Sequence, residues 1–126
     1  MKNNFFYKNK FSNIYKNSSK FSEVISQILY GEKFKILLKN KDWIKIKSSF
    51  DNYVGYIRNE KYATKHNPSH KVYSLKAAIF GKQKKKTKNF LPFGSKISII
   101  KENKNFIEFE NNKWLKKKDL RKIDHK

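Results

Sequence analysis

The side chains that could perform nucleophilic or acid–base chemistry are few in this sequence. The 126 residues contain no cysteine, which excludes a thiolate nucleophile, a disulfide and a cysteine-based zinc site. The three histidines, His66, His70 and His125, show neither a nucleophile elbow nor metal-ligand spacing around them. Each is interpreted as a solvated residue of a linker or tail. The sequence therefore predicts a protein that is not an enzyme by itself and has no metal or cofactor.

The charge is strongly positive, with a formal net charge of +21. All of the 31 basic residues are lysine except Arg58 and Arg121. Surfaces that recognise phosphates or bases favour arginine, whose planar fork pairs bidentately. The lysines have two interpretations, an AT-rich genome acting on tolerant surface positions or a surface selected for polyanions. In both cases we expect weak, non-specific, salt-sensitive attraction to polyanions. The densest basic run, at 81–88, is interpreted as a solvated loop.

One pattern occurs twice, as LYGEKFKILLKNKDWIKI at 29–46 and LPFGSKISIIKENKNFIEF at 91–109. When Gly31 is aligned with Gly94, apolar positions of one block fall on apolar positions of the other. A repeat of this length is longer than the usual solenoid unit. It indicates two tandem copies of one small domain.

The periodicity of the repeated block is that of β-strands. Ile44 and Ile46 share one face of a predicted strand, and Trp43, Lys45 and Lys47 share the other, which is the period of a half-buried strand. Asparagine- and glycine-containing turns separate such segments at close spacing. No helical pattern exceeds a turn or two. The sequence therefore predicts an all-β chain made of small barrels.

Three motifs of the first copy suggest a family. They are Tyr-Gly-Glu at 30–32, Asp-Trp at 42–43 and Tyr-Val-Gly-Tyr-Ile at 53–57. With them the copy resembles bacterial SH3 (SH3b) domains, and the second copy resembles a divergent SH3b domain. The junction Asn-Pro-Ser-His-Lys-Val at 67–72 is similar to the link between paired SH3b domains that precede the catalytic domain of NlpC-type murein-peptide endopeptidases. The resemblance predicts two small SH3-like barrels in tandem.

The expected organisation follows from the repeat and its flanks. We expect an N-terminal arm (1–10), a first SH3b domain (11–62), a linker (63–71), a second, divergent domain (72–123) and a tail (124–126). No segment approaches the roughly 20 apolar residues of a membrane span, and no signal peptide is recognised. A cytoplasmic location and no membrane partner are therefore expected.

The resemblance also implies a function. It implies a non-catalytic module that recognises murein peptides or cell-wall fragments and acts with an NlpC-type catalytic domain that is missing or supplied in trans. In that family the first SH3b domain helps to select peptides with a free N-terminal L-Ala. The matching positions are Glu32, as a carboxylate for the amine, and Tyr53, as an aromatic wall. The structural alternatives are a solvated turn residue for Glu32 and a core side chain for Tyr53.

Other aromatic residues are candidates for a peptide groove. Trp43 could line one with Tyr30 and Tyr56, as aromatic residues do in peptide-binding SH3 barrels. The alternative is that Trp43 covers the edge of the barrel. The competing function is a basic SH3-like-barrel protein that associates with nucleic acid or another polyanion. The charge favours that function, whereas the scarcity of arginine and the lack of an aromatic–basic RNA motif do not.

Overall fold

Short antiparallel strands and two 3-10 turns, Lys82–Lys84 and Lys117–Asp119, make up the regular structure. The computed structural model describes residues 4–123. Residues 1–3 of the predicted arm and the predicted tail, with His125, lie outside the described residues. The chain forms two units, which divide between His66 and Asn67. The prediction of an all-β fold is confirmed.

Seven strands form the sheet of the first unit. They are β1 (Asn4–Tyr7), β2 (Phe11–Tyr15), β3 (Val24–Leu29), β4 (Lys33–Lys39), β5 (Trp43–Ser48), β6 (Val54–Arg58) and β7 (Tyr62–Ala63). Their order across the sheet is β3-β2-β6-β5-β4-β1-β7, and each pair of neighbours is antiparallel. The buried side chains of the core are Tyr7, Ile14, Ile28, Phe34, Ile44, Ile46 and Ile57.

The alternation predicted for β5 is present. Ile44 and Ile46 are fully buried, whereas Trp43 and Lys45 are half-buried and Lys47 is exposed. β5 lies between β4 and β6, so both of its edges are paired and its apolar face covers the middle of the core. Burying each isoleucine contributes about 1.5–3 kcal/mol of transfer free energy.

Residues 4–7, predicted as part of an arm, form a strand of the sheet instead. Phe5 pairs with Phe34 of β4, and Tyr7 pairs with Tyr62 of β7. The rings of Phe5, Phe34 and Tyr62 contact one another with centroids 5.3 to 6.0 Å apart. The first domain therefore includes residues before 11, because burial of large aromatic side chains holds this segment in place.

Eight strands in two sheets form the second unit. They are β8 (His70–Val72), β9 (Lys76–Phe80), β10 (Lys86–Pro92), β11 (Lys96–Ile97), β12 (Lys101–Glu102), β13 (Phe106–Glu110), β14 (Lys113–Lys116) and β15 (Leu120–Lys122). The larger sheet has the order β10-β9-β14-β13-β12, and the smaller has the order β11-β8-β15. β7 and β8 take residues from both ends of the predicted linker, which leaves 64–69 between strands.

A glycine turn with the same hydrogen bonds occurs in each unit. Gly31 and Gly94 have φ angles of 83° and 93°, a region that residues with a Cβ rarely adopt. Gly31 donates its N–H to the carbonyl of Tyr7, and Gly94 donates to the carbonyl of Val72. The two glycines aligned in the sequence therefore form equivalent turns, and β1 and β8 hold equivalent positions beside them.

An asparagine turn also occurs in each unit. The Oδ1 atom of Asn40 accepts the N–H groups two and three residues later, at 3.1 and 2.9 Å. The Oδ1 atom of Asn103 accepts the corresponding N–H groups at 3.1 and 3.0 Å. Asparagine forms such turns because its side chain can replace a backbone acceptor. The turn chemistry predicted between these strands is thus present in both units.

The buried phenol of Tyr7 predicts a loss of stability at alkaline pH. Burial, with a smaller contribution from the Glu60 carboxylate, raises the pKa of Tyr7 from 10.0 to about 12, and a hydrogen bond with Ser12 opposes the rise. Because the folded pKa lies above the unfolded one, the stabilisation is complete below pH 10 and is lost as pH rises through 12. We expect wild type to lose about 2–3 kcal/mol relative to Tyr7→Phe over this interval. Urea unfolding of both proteins across a pH series measures the difference, and parallel pH profiles would contradict the prediction.

Candidate binding site

Glu32 is positioned by the glycine turn that precedes β4. Its Oε1 atom accepts the N–H of Leu29 at 2.9 Å, and its own N–H donates to the carbonyl of Leu29 at 3.0 Å. The residue is 6% exposed, so the alternative of a solvated turn residue is excluded. The turn folds the carboxylate inward because it satisfies a backbone donor at the end of β3. The result is a carboxylate held in one orientation.

Tyr53 lies at the same end of the sheet as Glu32. Its carbonyl accepts the N–H of Ser48, and the carbonyl of Lys33, next to Glu32, accepts the N–H of Ser49. Tyr53 precedes β6 and Glu32 precedes β4, and these strands flank β5. The two residues are therefore separated by one intervening strand at one end of the sheet. Tyr53 is 50% exposed, so the alternative of a core side chain is excluded.

A half-buried aromatic–cation surface covers the outer face of β5 and β6. Trp43 is paired with Arg58, whose guanidinium lies 4.5 Å from the indole centroid, and Lys45 is paired with Tyr56, with its ammonium 5.9 Å from that ring. Tyr15 of β2 meets Trp43 edge-to-face at 5.9 Å. The structure therefore brings Trp43 and Tyr56 together on one face. Tyr15 and Arg58 complete this face, and only strand pairing, not sequence spacing, could have revealed them.

Tyr30, the third predicted groove residue, is not a groove wall. It is 3% exposed, with the ammonium of Lys8 at 4.7 Å from its ring and the ring of His66 at 6.0 Å. The Nδ1 atom of His66 lies 3.3 Å from Nζ of Lys8, and its ring also contacts Phe6 at 5.5 Å. His66 is therefore a half-buried packing residue and not a solvated linker histidine.

His70 lies in β8 of the second unit and is half-buried. Burial lowers the pKa of His70, with Lys122 adding to the effect and Glu102 opposing it. Its Nδ1 atom lies 2.9 Å from the hydroxyl of Ser69. Within residues 4–123 no three His, Asp or Glu side chains are grouped in a way that could hold a metal ion.

The second unit carries an aromatic–cation face of its own. Phe80 and Phe106 meet edge-to-face with centroids 5.2 Å apart, and the ammonium of Lys116 lies 5.4 Å from the ring of Phe80. Lys84 places its ammonium 4.6 Å from the ring of Trp114. Strand pairing joins Phe106 with Lys116 and Phe80 with Trp114. The corresponding pairs of the first unit are Trp43 with Arg58 and Tyr15 with Tyr56.

The sequence comparison identifies the family of the first unit. Residues 14–61 match the model of the bacterial dipeptidyl-peptidase SH3 domain. The first unit carries a bacterial SH3 domain. Two of the motifs noted in the sequence lie within the matched residues. Tyr-Gly-Glu forms the turn before β4, and Tyr-Val-Gly-Tyr-Ile supplies the first four residues of β6. The resemblance to SH3b domains is confirmed.

A solved structure extends the likeness beyond the SH3 domain. The chain is similar to an NlpC/P60 family protein from Bacillus cereus ATCC 10987, with a TM-score of 0.75 and 11% sequence identity. The alignment covers 95% of this chain and 56% of that one, so the chain spans just over half the length of its structural relative. At this identity the likeness shows the fold. No curated protein matches the sequence.

The helices are short in the part of the chain that the structure describes. None of those at 4–123 has the length and apolar character needed to cross a bilayer. The 3-10 turns that carry Lys82–Lys84 and Lys117–Asp119 are each three residues long.

Proposed function

We propose that this chain is a recognition module of a cell-wall peptidase. It binds murein peptides without cutting them and acts with a cysteine peptidase domain supplied from outside this sequence. The observation that carries the proposal is the dipeptidyl-peptidase SH3 match at residues 14–61. The NlpC/P60-like fold over 95% of the chain supports it. The absence of cysteine from the sequence is the reason that the nucleophile must come from elsewhere.

We further propose that the second unit is a divergent copy of the SH3b domain. Its glycine turn, its asparagine turn and its aromatic–cation face repeat those of the first unit in hydrogen bonding and strand pairing. The divergence is in the side chains. Glu32 of the first glycine turn is replaced by Ser95, which is fully buried and donates its hydroxyl to the carbonyl of Pro92 at 2.8 Å.

The peptide subsite proposed for the first unit contains Tyr53 and Glu32. An exposed tyrosine can stack on a peptide and hydrogen-bond with its hydroxyl. A carboxylate held by a backbone N–H keeps a fixed orientation, and an ionised carboxylate offers several lone-pair positions to an ammonium. A charge-assisted hydrogen bond of this kind is among the stronger polar contacts. The subsite therefore selects a free N-terminal amine next to an aromatic wall.

Peptide titration tests the proposed subsite. Calorimetry with the tripeptide L-Ala-γ-D-Glu-diaminopimelate is expected to show binding to the full chain and recovery of the intact peptide. Tyr53→Ala is expected to weaken binding about tenfold, which corresponds to about 1.4 kcal/mol. N-terminal acetylation of the peptide removes the ammonium and is expected to weaken binding by a similar factor or more.

The matched control is Tyr73→Ala in the second unit. Tyr73 is 55% exposed and Tyr53 is 50% exposed, so each variant removes a tyrosine of similar exposure. The control variant is expected to bind the tripeptide like wild type. Equal losses in the two variants, or equal binding of the free and acetylated peptides, would refute the subsite.

A further inference from the structure

A cavity of about 440 Å³ opens at one corner of the second unit. The turn before β13 and the segment after β14 line it, with the residues Lys104, Asn105, Phe106, Lys116, Lys117 and Lys118. Its volume is within the range of small-ligand sites, about 300–1,000 Å³. Four lysines and no acidic residue belong to its lining, although Lys117 also contacts the carboxylate of Glu102 at 2.8 Å and the ammonium of Lys116 lies 5.4 Å from the ring of Phe80. We call this site the lysine cavity.

The first unit has an equivalent corner, which backbone hydrogen bonds define. The N–H of Lys117 donates to the carbonyl of Asn105, and the N–H of Asn59 donates to the carbonyl of Asp42, both at 2.9 Å. In each unit the acceptor belongs to the asparagine turn and the donor follows the strand paired with it. The two corners can therefore be compared residue by residue.

The two corners differ in charge. The residues of the first corner are Lys41, Asp42, Trp43, Arg58, Asn59 and Glu60. Two cations are balanced there by two carboxylates, whereas the lining of the second corner has four cations, and the carboxylate beside them is that of Glu102, which is bound to Lys117. In the first corner the amide of Asn59 also donates across the turn to the carbonyl of Asn40 at 3.1 Å. An excess of lysine throughout the chain acts on both corners alike, so composition alone does not explain why only the second is uniformly basic.

Like charges around a concave surface repel one another and raise the local potential for anions. The lining has only lysine as its cation. Lysine can bind phosphate as a compact point charge, although it lacks the bidentate fork with which arginine fits both phosphate and carboxylate. The lining therefore favours a ligand by the number of its negative charges and not by their geometry. Each water molecule takes about 30 Å³ in the liquid, so the cavity of about 440 Å³ could hold many water molecules. It therefore has room for a ligand with more than one phosphate group.

We propose that the lysine cavity binds a ligand that carries several linked phosphate groups. Lys104, Lys117 and Lys118 neutralise the phosphates, and Asn105 provides an amide that can donate a hydrogen bond. The site lies in the second unit and goes beyond the peptide recognition proposed for the first. It uses neither Tyr53 nor Glu32.

Calorimetric titration of the full chain with sodium tripolyphosphate, at an ionic strength of about 0.15 M, tests the proposal. One ligand is expected to bind per chain. The variant Lys104→Gln/Lys117→Gln/Lys118→Gln is expected to bind at least tenfold more weakly. Inorganic phosphate and hexaglutamate are each expected to bind more weakly than tripolyphosphate to the wild-type chain.

The matched control, Lys82→Gln/Lys85→Gln/Lys88→Gln, removes the same charge from exposed positions of the β9–β10 hairpin. Phe80 pairs with Trp114 in an antiparallel manner, so this hairpin lies beyond the start of β14 and the cavity lies beyond its end. The control is expected to retain the wild-type affinity within about twofold. Both triple variants are expected to remain folded, as a melting curve verifies, although the cavity variant also loses the surface ion pair between Lys117 and Glu102, a contact of small effect on stability.

Three results would overturn the proposal. Equal weakening in the two triple variants would mean that net charge alone attracts the anion. Unchanged affinity in the cavity variant would place binding elsewhere. Hexaglutamate binding as tightly as tripolyphosphate would assign the cavity to acidic peptides. A single-stranded oligonucleotide that binds through the same lysines with higher affinity would identify nucleic acid as the source of the phosphates.

Discussion

Gly55→Ala is expected to lower the unfolding free energy of the first unit by about 3 kcal/mol. A Cβ on Gly55 would lie 2.6 Å from Cγ2 of Ile14, 2.7 Å from the carbonyl oxygen of Tyr15 and 3.0 Å from Cδ1 of Ile25. The carbonyl belongs to the backbone of β2, which pairs with β6 at this point. The contact therefore cannot be relieved by turning a side chain, and the two strands must separate.

Gly81→Ala is the matched control for this substitution. A Cβ there would meet its nearest neighbours at 3.6 and 3.9 Å, which is ordinary contact, so the stability is expected to change by about 0.5 kcal/mol or less. The sequence has two tryptophans, Trp43 in the first unit and Trp114 in the second. Urea unfolding followed by fluorescence reports the first unit in a Trp114→Phe background, used for Gly55→Ala, and the second unit in a Trp43→Phe background, used for Gly81→Ala. An unfolding midpoint of Gly55→Ala equal to that of its own background would show that β2 and β6 tolerate the added methyl group.

Phe34→Ala is expected to destabilise the first unit by about 3–5 kcal/mol, the usual cost of removing a buried aromatic ring. Phe34 is fully buried. Its ring centroid lies 6.0 Å from that of Phe5 and 5.9 Å from that of Tyr62. The substitution thus removes the side chain that joins β1 and β7 to β4.

The control for Phe34→Ala is Phe21→Ala, because Phe21 is 88% exposed in the same unit. It is expected to change stability by about 0.5 kcal/mol or less. Hydrogen exchange separates the roles of the strands: in Phe34→Ala the amides of β1 are expected to lose protection together with those of β4. Protection of β1 that survives loss of β4 protection would contradict the joint packing of these strands.

The sequence predicted those parts of the fold that depend on local pattern. Period-two alternation identified Ile44 and Ile46 as core residues, and the aligned glycines marked turns that Gly31 and Gly94 do form. β1 was missed because its four residues are too few to show a period, and its partners lie far along the chain in β4 and β7. Pairing between distant segments leaves no signal in a local window.

The residues of the candidate sites divide in the same way, into those that could be predicted from the sequence and those whose position depends on distant segments. Trp43 and Tyr56 were predicted to share a groove by analogy with peptide-binding SH3 barrels, and they do share a face, where Arg58 lies over the ring of Trp43 and Lys45 over that of Tyr56. Tyr30 could not be assigned in this way because Lys8 and His66, which cover it, come from the two ends of the unit. The burial of Glu32 depends on the turn at 30–32, which brings its carboxylate to the N–H of Leu29. The period-two pattern of the strands does not predict this hydrogen bond.

The net charge follows from the composition, but the sequence does not show where on the surface the charged side chains lie. Net charge is a sum over the chain, and the sequence alone does not show which lysines share a concave surface. The lysine cavity became visible only when the hydrogen bonds of the asparagine turns allowed the two corners to be compared. Two residues distinguish the corners most clearly, Glu60 in the first and Lys118 in the second.

The equivalent glycine turns have a consequence for how the chain avoids misfolding. The backbone of Tyr7 bonds to the first turn as the backbone of Val72 bonds to the second, so main-chain hydrogen bonds do not distinguish β1 from β8. Neighbouring domains of similar structure are prone to exchange such strands while they fold. Tyr7 and Val72 are both almost fully buried and differ greatly in volume. A phenol in the valine position overpacks its core, and a valine in the tyrosine position leaves a cavity. The unequal size of these two side chains therefore disfavours the exchange of β1 and β8 between the two units.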